Sequence, residues 1–234
     1  MNYAKRAGAI FALRRLIVPV ILVLPLFGSL LHLSHWQYQR LGWKTDLIHQ
    51  IAKSEGAPPV ALTNNPGRFT KIFLNGIFDY SRESLLELEV RNSVLGARLL
   101  TPLILQDGKS VLVDRGWVPI QRDMSISRPD GTLQVEGYVR PSDQRNRFSA
   151  ADDVARRRFF TFDAEAIGTA LGLNEVSPFG VVALGPNSGY PDPVRRLPRP
   201  TNNHLGYAIT WFGLALSLAA VFAAWARRRL RENS

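Results

Sequence analysis

Two stretches of this chain carry no charged side chain. LIVPVILVLPLFGSLLHLSHWQYQ fills residues 16–39 and LGYAITWFGLALSLAAVFAAWA fills residues 205–226, runs of 24 and 22 positions. A helix needs roughly 20 apolar residues to cross a hydrocarbon core about 30 Å thick, so each run predicts a transmembrane helix. The first run is long for the apolar part of a signal peptide and has no A-x-A-like site after it. It therefore reads as a retained anchor rather than a cleaved leader.

Between the two runs the pattern changes. RFTKIFLNGIFDY, LLELEVRNS, ARLLTPLIL, KSVLVDRGWVP, TLQVEGYVR and VSPFGVVALG are short and rich in β-branched or aromatic residues, and turns such as QDGK and RPDG part them. These read as strands. Residues 159–173 have helical spacing, with Phe162, Ala166, Ile167 and Ala170 on one side. PPVALTNNPG reads as loop. Five prolines within residues 186–200 predict a stiff, extended lead-in to the second span. Strands in series without alternating long helices predict an α+β membrane protein. Two transmembrane helices flank a mainly antiparallel, small barrel-like β domain with one or two helices of its own. The expected divisions are a basic tail at 1–15, spans at 16–39 and 204–226, a β-rich domain at 40–203 and a second basic tail at 227–234.

The first helix is expected to continue through RLGWKTDLIHQIAK, residues 40–53. Trp36, Arg40 and Trp43 then share a face, which puts a guanidinium between two indoles at the membrane interface. Either an aromatic belt or a docking surface accounts for this group.

The net charge of +10 invites a nucleic-acid reading, but its distribution argues otherwise. Residues 1–15 hold +4 and residues 227–234 hold +3, which leaves +3 on everything between. Short basic flanks stay on the cytoplasmic side of a membrane. Both termini are therefore expected in the cytoplasm and the central domain in the periplasm, in a bacterial inner membrane. No nucleic-acid partner is implied, and membrane lipid is the surroundings expected for the spans.

The chain has no cysteine, so disulfides, thiolate metal sites and thiol catalysis are excluded. Of its four histidines only His49 falls outside the membrane zone, too few for a zinc site in the β domain. GKS at 108–110 lacks the upstream glycine of a phosphate loop. Asp152 and Asp153 are adjacent, so they cannot flank one substrate, and the arginines after them make this stretch a solvated charged loop. There is no G-x-S-x-G elbow. No enzyme activity is expected.

Four segments carry a resemblance. WQYQRLGWKTDLI (36–48), GIFDYSRESLLE (76–87), TPLILQDGKSVLVDRGWVP (101–119) and NNHLGYAITWFGLA (202–215) resemble, in this order, the signature segments of the surfeit locus protein 1 family. The resemblance implies a factor that assembles cytochrome c oxidase and delivers or shelters haem a. Its implied partners are the oxidase core subunit and the haem a synthesis machinery. It implicates the histidine of the NNHL segment, His204, in holding haem iron.

The residues around His204 can be read independently. Asn202 or Asn203 would cap the second helix and place His204 in its first turn. The positive helix end there disfavours an imidazolium, and a neutral imidazole is the form that ligates iron. His32 and His35 fall at the same leaflet, and two roles are open to them: polar residues at the surface, or a second axial ligand. The second span also has two faces. Gly206, Thr210, Gly213, Ser217, Ala220 and Ala224 make a stripe of small residues that predicts close packing on another helix, either the first span or a partner's. His204, Tyr207, Trp211, Leu214, Leu218 and Trp225 lie roughly opposite. There Tyr207 and Trp211 are expected to accept a flat macrocycle, or simply to touch lipid. A scaffold with no cofactor of its own is the alternative to a haem carrier.

Overall fold

The computed structural model describes residues 2–121, 125–186 and 189–231, with side chains from residue 17 onward. It divides into two compact units: residues 50–199, and the described residues on either side of them.

The β unit contains β1 (Val60–Ala61), β2 (Lys71–Phe78), β3 (Ser84–Arg91), β4 (Val94–Leu105), β5 (Ser110–Pro119), β6 (Leu133–Pro141), β7 (Arg158–Phe159) and β8 (Val176–Ala183). The six long strands are the six runs expected from the sequence. Sheet order is β1-β2-β6-β8-β5-β4-β3-β7, and a further β2–β4 pairing closes five of these strands into a barrel. Ile72, Leu74, Leu103, Val111, Val113, Val139, Phe179 and Val181 form one buried cluster. Every barrel strand contributes to it, so it is the barrel's interior.

The pairing is mainly antiparallel, with exceptions. β8 runs parallel to β5, and the two-residue strands β1 and β7 run parallel to β2 and β3. The segment between β6 and β8 carries the chain back across the barrel, so β8 enters between β6 and β5. That segment holds α2 (Ala164–Ala170). The helix is shorter than its spacing predicts. Asp163 caps it by accepting a hydrogen bond from the Ala166 amide at 3.1 Å, and Gly172 at φ +69° turns the chain away after it. Phe159 pairs with β3 instead. Phe162 and Ile167 pack with Leu86, Leu100 and Leu112 in a second core cluster.

Strand β5 is buried along its whole length, yet it carries Asp114 and Arg115. A β-bulge resolves the conflict. Leu100 pairs with Asp114 and Leu99 with Gly116, so Arg115 is the extra residue. Asp114 accepts from Arg98 Nε at 2.8 Å and from the Gly116 amide at 3.1 Å. Burial pushes its carboxyl up from the ordinary carboxylate value, and Arg98 opposes that rise. Arg115 turns elsewhere, to Glu83 at 3.1 Å and over the rings of Phe78 and Tyr80.

The chain bends within β5 rather than beyond its end. Gly116 has φ +137°, and a Cβ there would stand 2.4 Å from the Asp192 carbonyl. Asp192 exchanges two backbone hydrogen bonds with Trp117, each 2.9 Å, so the proline-rich segment lies against β5 rather than running free. The Trp117 indole covers Gly96, donates to the Glu89 carbonyl at 3.0 Å and is 5% exposed.

The other unit is built on α1 (Asn2–Gly56) and α3 (His204–Arg231). Within α1 the large apolar side chains from Ile17 to Leu26 are mostly exposed, as in a helix that faces lipid rather than a protein core. Pro19 and Pro25 sit inside the helix, and the Ser29 hydroxyl donates to the Pro25 carbonyl at 2.8 Å. Spans tolerate such prolines where neighbouring groups meet the freed backbone. Arg40 does lie between the two indoles, 5.8 Å from the Trp36 ring centre and 5.0 Å from that of Trp43.

The two helices run antiparallel. The Ser34 hydroxyl donates to the Ala208 carbonyl at 3.0 Å, and Gln37 meets His204. On α1 the half-buried positions step through Val20, Val23, Phe27, Leu30, Ser34, Gln37 and Leu41. On α3 the seam is Ala208 and Ala215, both buried, with Trp211, Leu218, Phe222 and Trp225 half-buried. The small-residue stripe, expected to pack on the first span or on a partner's helix, does not pack on the first span. All six of its residues are exposed. Nothing lies within 4 Å of a Cβ built on Gly206 or Gly213. The hydroxyls of Thr210 and Ser217 donate back to the carbonyls of Gly206 and Gly213. The seam wins because two alanines seven residues apart allow close approach, while large side chains between them add dispersion contact that a bare stripe cannot.

Two predictions follow from this packing. Gly116→Ala should lower stability by at least about 2 kcal/mol, from backbone strain and the clash at Asp192. Thermal unfolding beside wild type measures it, with Gly131→Ala as a control for positive φ in open space. For the helices, cysteines placed at Ser34 and Ala208 should cross-link on mild oxidation, in a chain that has no cysteine of its own. Ala215→Leu should weaken that cross-link through overpacking, whereas Gly213→Leu should leave it intact.

Candidate functional site at the head of the helix pair

His204 is the first residue of α3. Its place there depends on the two residues before it. The backbone carbonyl of Asn203 accepts from the Tyr207 amide at 3.4 Å, which starts the helix. Asn202 does not cap. Its side chain crosses to α1 and donates to Thr45 Oγ1 at 3.2 Å and to the Leu41 carbonyl at 3.4 Å. Thr45 also donates to that carbonyl, at 2.8 Å. The lead-in to α3 is therefore tied to α1 one helical turn beyond Gln37.

Gln37 is the residue that sequence reasoning missed. Its Oε1 lies 2.6 Å from His204 Nδ1. An amide oxygen only accepts, so Nδ1 is the donor, and in the neutral imidazole Nε2 then keeps its lone pair. This is how a metal-ligating imidazole is usually prepared, with the second nitrogen held by a hydrogen bond that fixes tautomer and ring orientation. The signal in the sequence was faint: Gln37 follows Trp36 in the WQYQ segment, one step along the face that reaches α3.

The other expected residues are placed less uniformly. Tyr207 is 56% exposed on the flank of α3. Trp211 is half-buried and lies along the seam with α1. His32 and His35 are both exposed and fall between the α1 positions that face α3. His35 Nε2 lies 3.0 Å from the Gln39 amide nitrogen. Neither touches His204 among the described residues. Those residues also hold no cluster of three or more His, Asp or Glu side chains able to bind a bare metal ion.

The donor set can be tested against a haem. It supplies one half-buried imidazole with Nε2 available, an exposed phenol ring one turn on, and apolar side chains such as Leu205 beside them. These residues suit a flat, largely apolar macrocycle whose metal would be held by His204.

Residues 24–216 match the model of the SURF1 family, a range that includes all four signature segments. Surfeit locus protein 1 of Xenopus tropicalis is 28% identical, over 86% of this chain and 72% of that protein. The human protein of the same name is 29% identical, over 91% of this chain and 77% of its own. A SURF1-like protein of Rickettsia felis is 27% identical, over 88% of this chain and 96% of its own. With its two membrane-length helices and the β barrel between them, this chain belongs to the SURF1 family.

Proposed function

We propose that this chain is a membrane-anchored assembly factor for cytochrome c oxidase, and that it holds haem a through His204. Family membership supports the assembly role. The observation that carries the haem reading is the His204–Gln37 hydrogen bond, which leaves Nε2 free to ligate. When bound, the haem would contribute an iron that accepts the lone pair of His204 Nε2. The chain's own part is to hold the imidazole in one tautomer, fix its height at the end of α3 and present Tyr207 beside it.

The basic flanks favour a bacterial inner membrane with both tails in the cytoplasm and the β domain in the periplasm. Partners on this reading are the oxidase core subunit, which receives the haem, and the machinery that makes it. The protein would act by sheltering the cofactor rather than by catalysis. His32 and His35 are exposed on α1, and either could supply a further bond to the haem iron on this reading.

Oxidase content in cells that lack the chromosomal copy tests this. Re-introduced wild type should restore it. His204→Ala should restore roughly a tenth or less, and Gln37→Leu should fall between, since loss of an orienting hydrogen bond typically lowers metal affinity 10- to 100-fold. Restoration by His204→Ala to the wild-type level would leave a cofactor-free scaffold as the function. No effect of the deletion on oxidase would remove the assembly role as well.

A further inference from the structure

The β domain holds a cavity of about 370 Å³ that the His204 reading does not use. It opens where β2 begins and β6 ends, and side chains of both signs line it. The hydrogen bonds show which donors remain unbonded.

Four carboxylates face the cavity and each is already engaged. Asp114 holds Arg98 Nε and the Gly116 amide. Glu87 and Asp143 share Arg140 Nη2, at 2.6 and 2.9 Å. Glu89 holds Arg91 through two bonds of 2.7 and 3.0 Å.

The donors differ. Arg98 is 8% exposed and uses only Nε, so its two terminal nitrogens have no partner among the described residues. Tyr138 is 9% exposed, and its hydroxyl likewise has none. None of these atoms is among the buried polar atoms closed off from any partner, so they open on the cavity they line. Arg68 stands at the rim over the Phe69 ring and has no ion pair with a carboxylate among the described residues. The donors still unbonded at the site are a buried guanidinium fork, a phenol hydroxyl and a second guanidinium, beside carboxylates held by Arg98, Arg140 and Arg91. Phe69, Val182, Val194 and Pro198 supply an apolar wall.

A guanidinium fork matches two oxygens of a phosphate or carboxylate, and such bonds strengthen in a partly desolvated setting. We propose that this cavity is an oxyanion-binding site, which takes a phosphate-type group either free or as the head of a membrane lipid whose apolar part rests on Phe69 and Pro198. The inference is independent of haem at His204.

The test uses the full chain in a neutral detergent, titrated by calorimetry. Inorganic phosphate is one probe, short-chain phosphatidylglycerol a second, and phosphatidylcholine of the same chain length a third. Tyr138→Phe and Arg68→Gln are the variants, because neither side chain has a hydrogen-bond partner among the described residues, and unchanged thermal unfolding verifies that both remain folded. Wild type should bind with saturation, with affinity about fivefold weaker in Tyr138→Phe, in line with one lost hydrogen bond. Arg68→Gln should be weaker by roughly twofold to fivefold, as for a partly exposed charge, and more so at low salt. Saturation by phosphate identifies a free oxyanion. Saturation by phosphatidylglycerol but not by phosphate or phosphatidylcholine identifies an anionic head group. Absence of saturable binding by phosphate and phosphatidylglycerol, or equal affinity in all three proteins, overturns the proposal.

Discussion

The β domain is organised around one difficulty: strand β5 is buried throughout and still carries adjacent opposite charges. A buried ion that loses its partner is strongly destabilising, so each charge must find one without exposing the strand. The bulge at Arg115 separates them. Asp114 goes to Arg98 and Arg115 to Glu83, and the backbone between them needs a residue free to take φ +137°. Gly116 supplies it, and its missing side chain lets Asp192 approach and pair with Trp117. The proline-rich segment before α3 is thus fixed against the barrel by the same bulge. The cavity beside Arg98 is a further consequence, since a guanidinium that uses Nε on Asp114 leaves its other end to face outward.

The helix unit obeys a different rule. In lipid, burial of apolar surface gives helices little reason to associate, so close packing and a few hydrogen bonds set the register. Ala208 and Ala215 provide the closeness. Ser34, Gln37, Thr45 and Asn202 provide the bonds, all near one end of the pair. The polar end is therefore also the specific end. His204 stands in it, held by a neighbour that leaves one ring nitrogen available.

Much of this was legible in the sequence, for physical reasons. The six long strands were visible because alternation and turn residues are local signals. The spans were visible because lipid demands long uncharged runs, and the Trp36–Arg40–Trp43 arrangement followed from helical spacing alone. What escaped was non-local. Nothing in β5 read alone says that Arg115 is a bulge, because the bulge is defined by which β4 residues lie opposite. Nor does a helical wheel say which of two faces meets a neighbour. It separated the glycine stripe from the aromatic side of α3, but the choice between them depended on the surface of α1. Gln37 escaped for the same reason, since its role exists only once the two helices are side by side.

The central claim is that His204, oriented by Gln37, can hold haem a, and an absorption spectrum tests it most directly. The protein would be purified in detergent from cells that make haem a and compared with His204→Ala purified in the same way. Wild type should show a haem a spectrum that is lost in the variant. A wild-type protein without haem, or a variant that retains it undiminished, would contradict it.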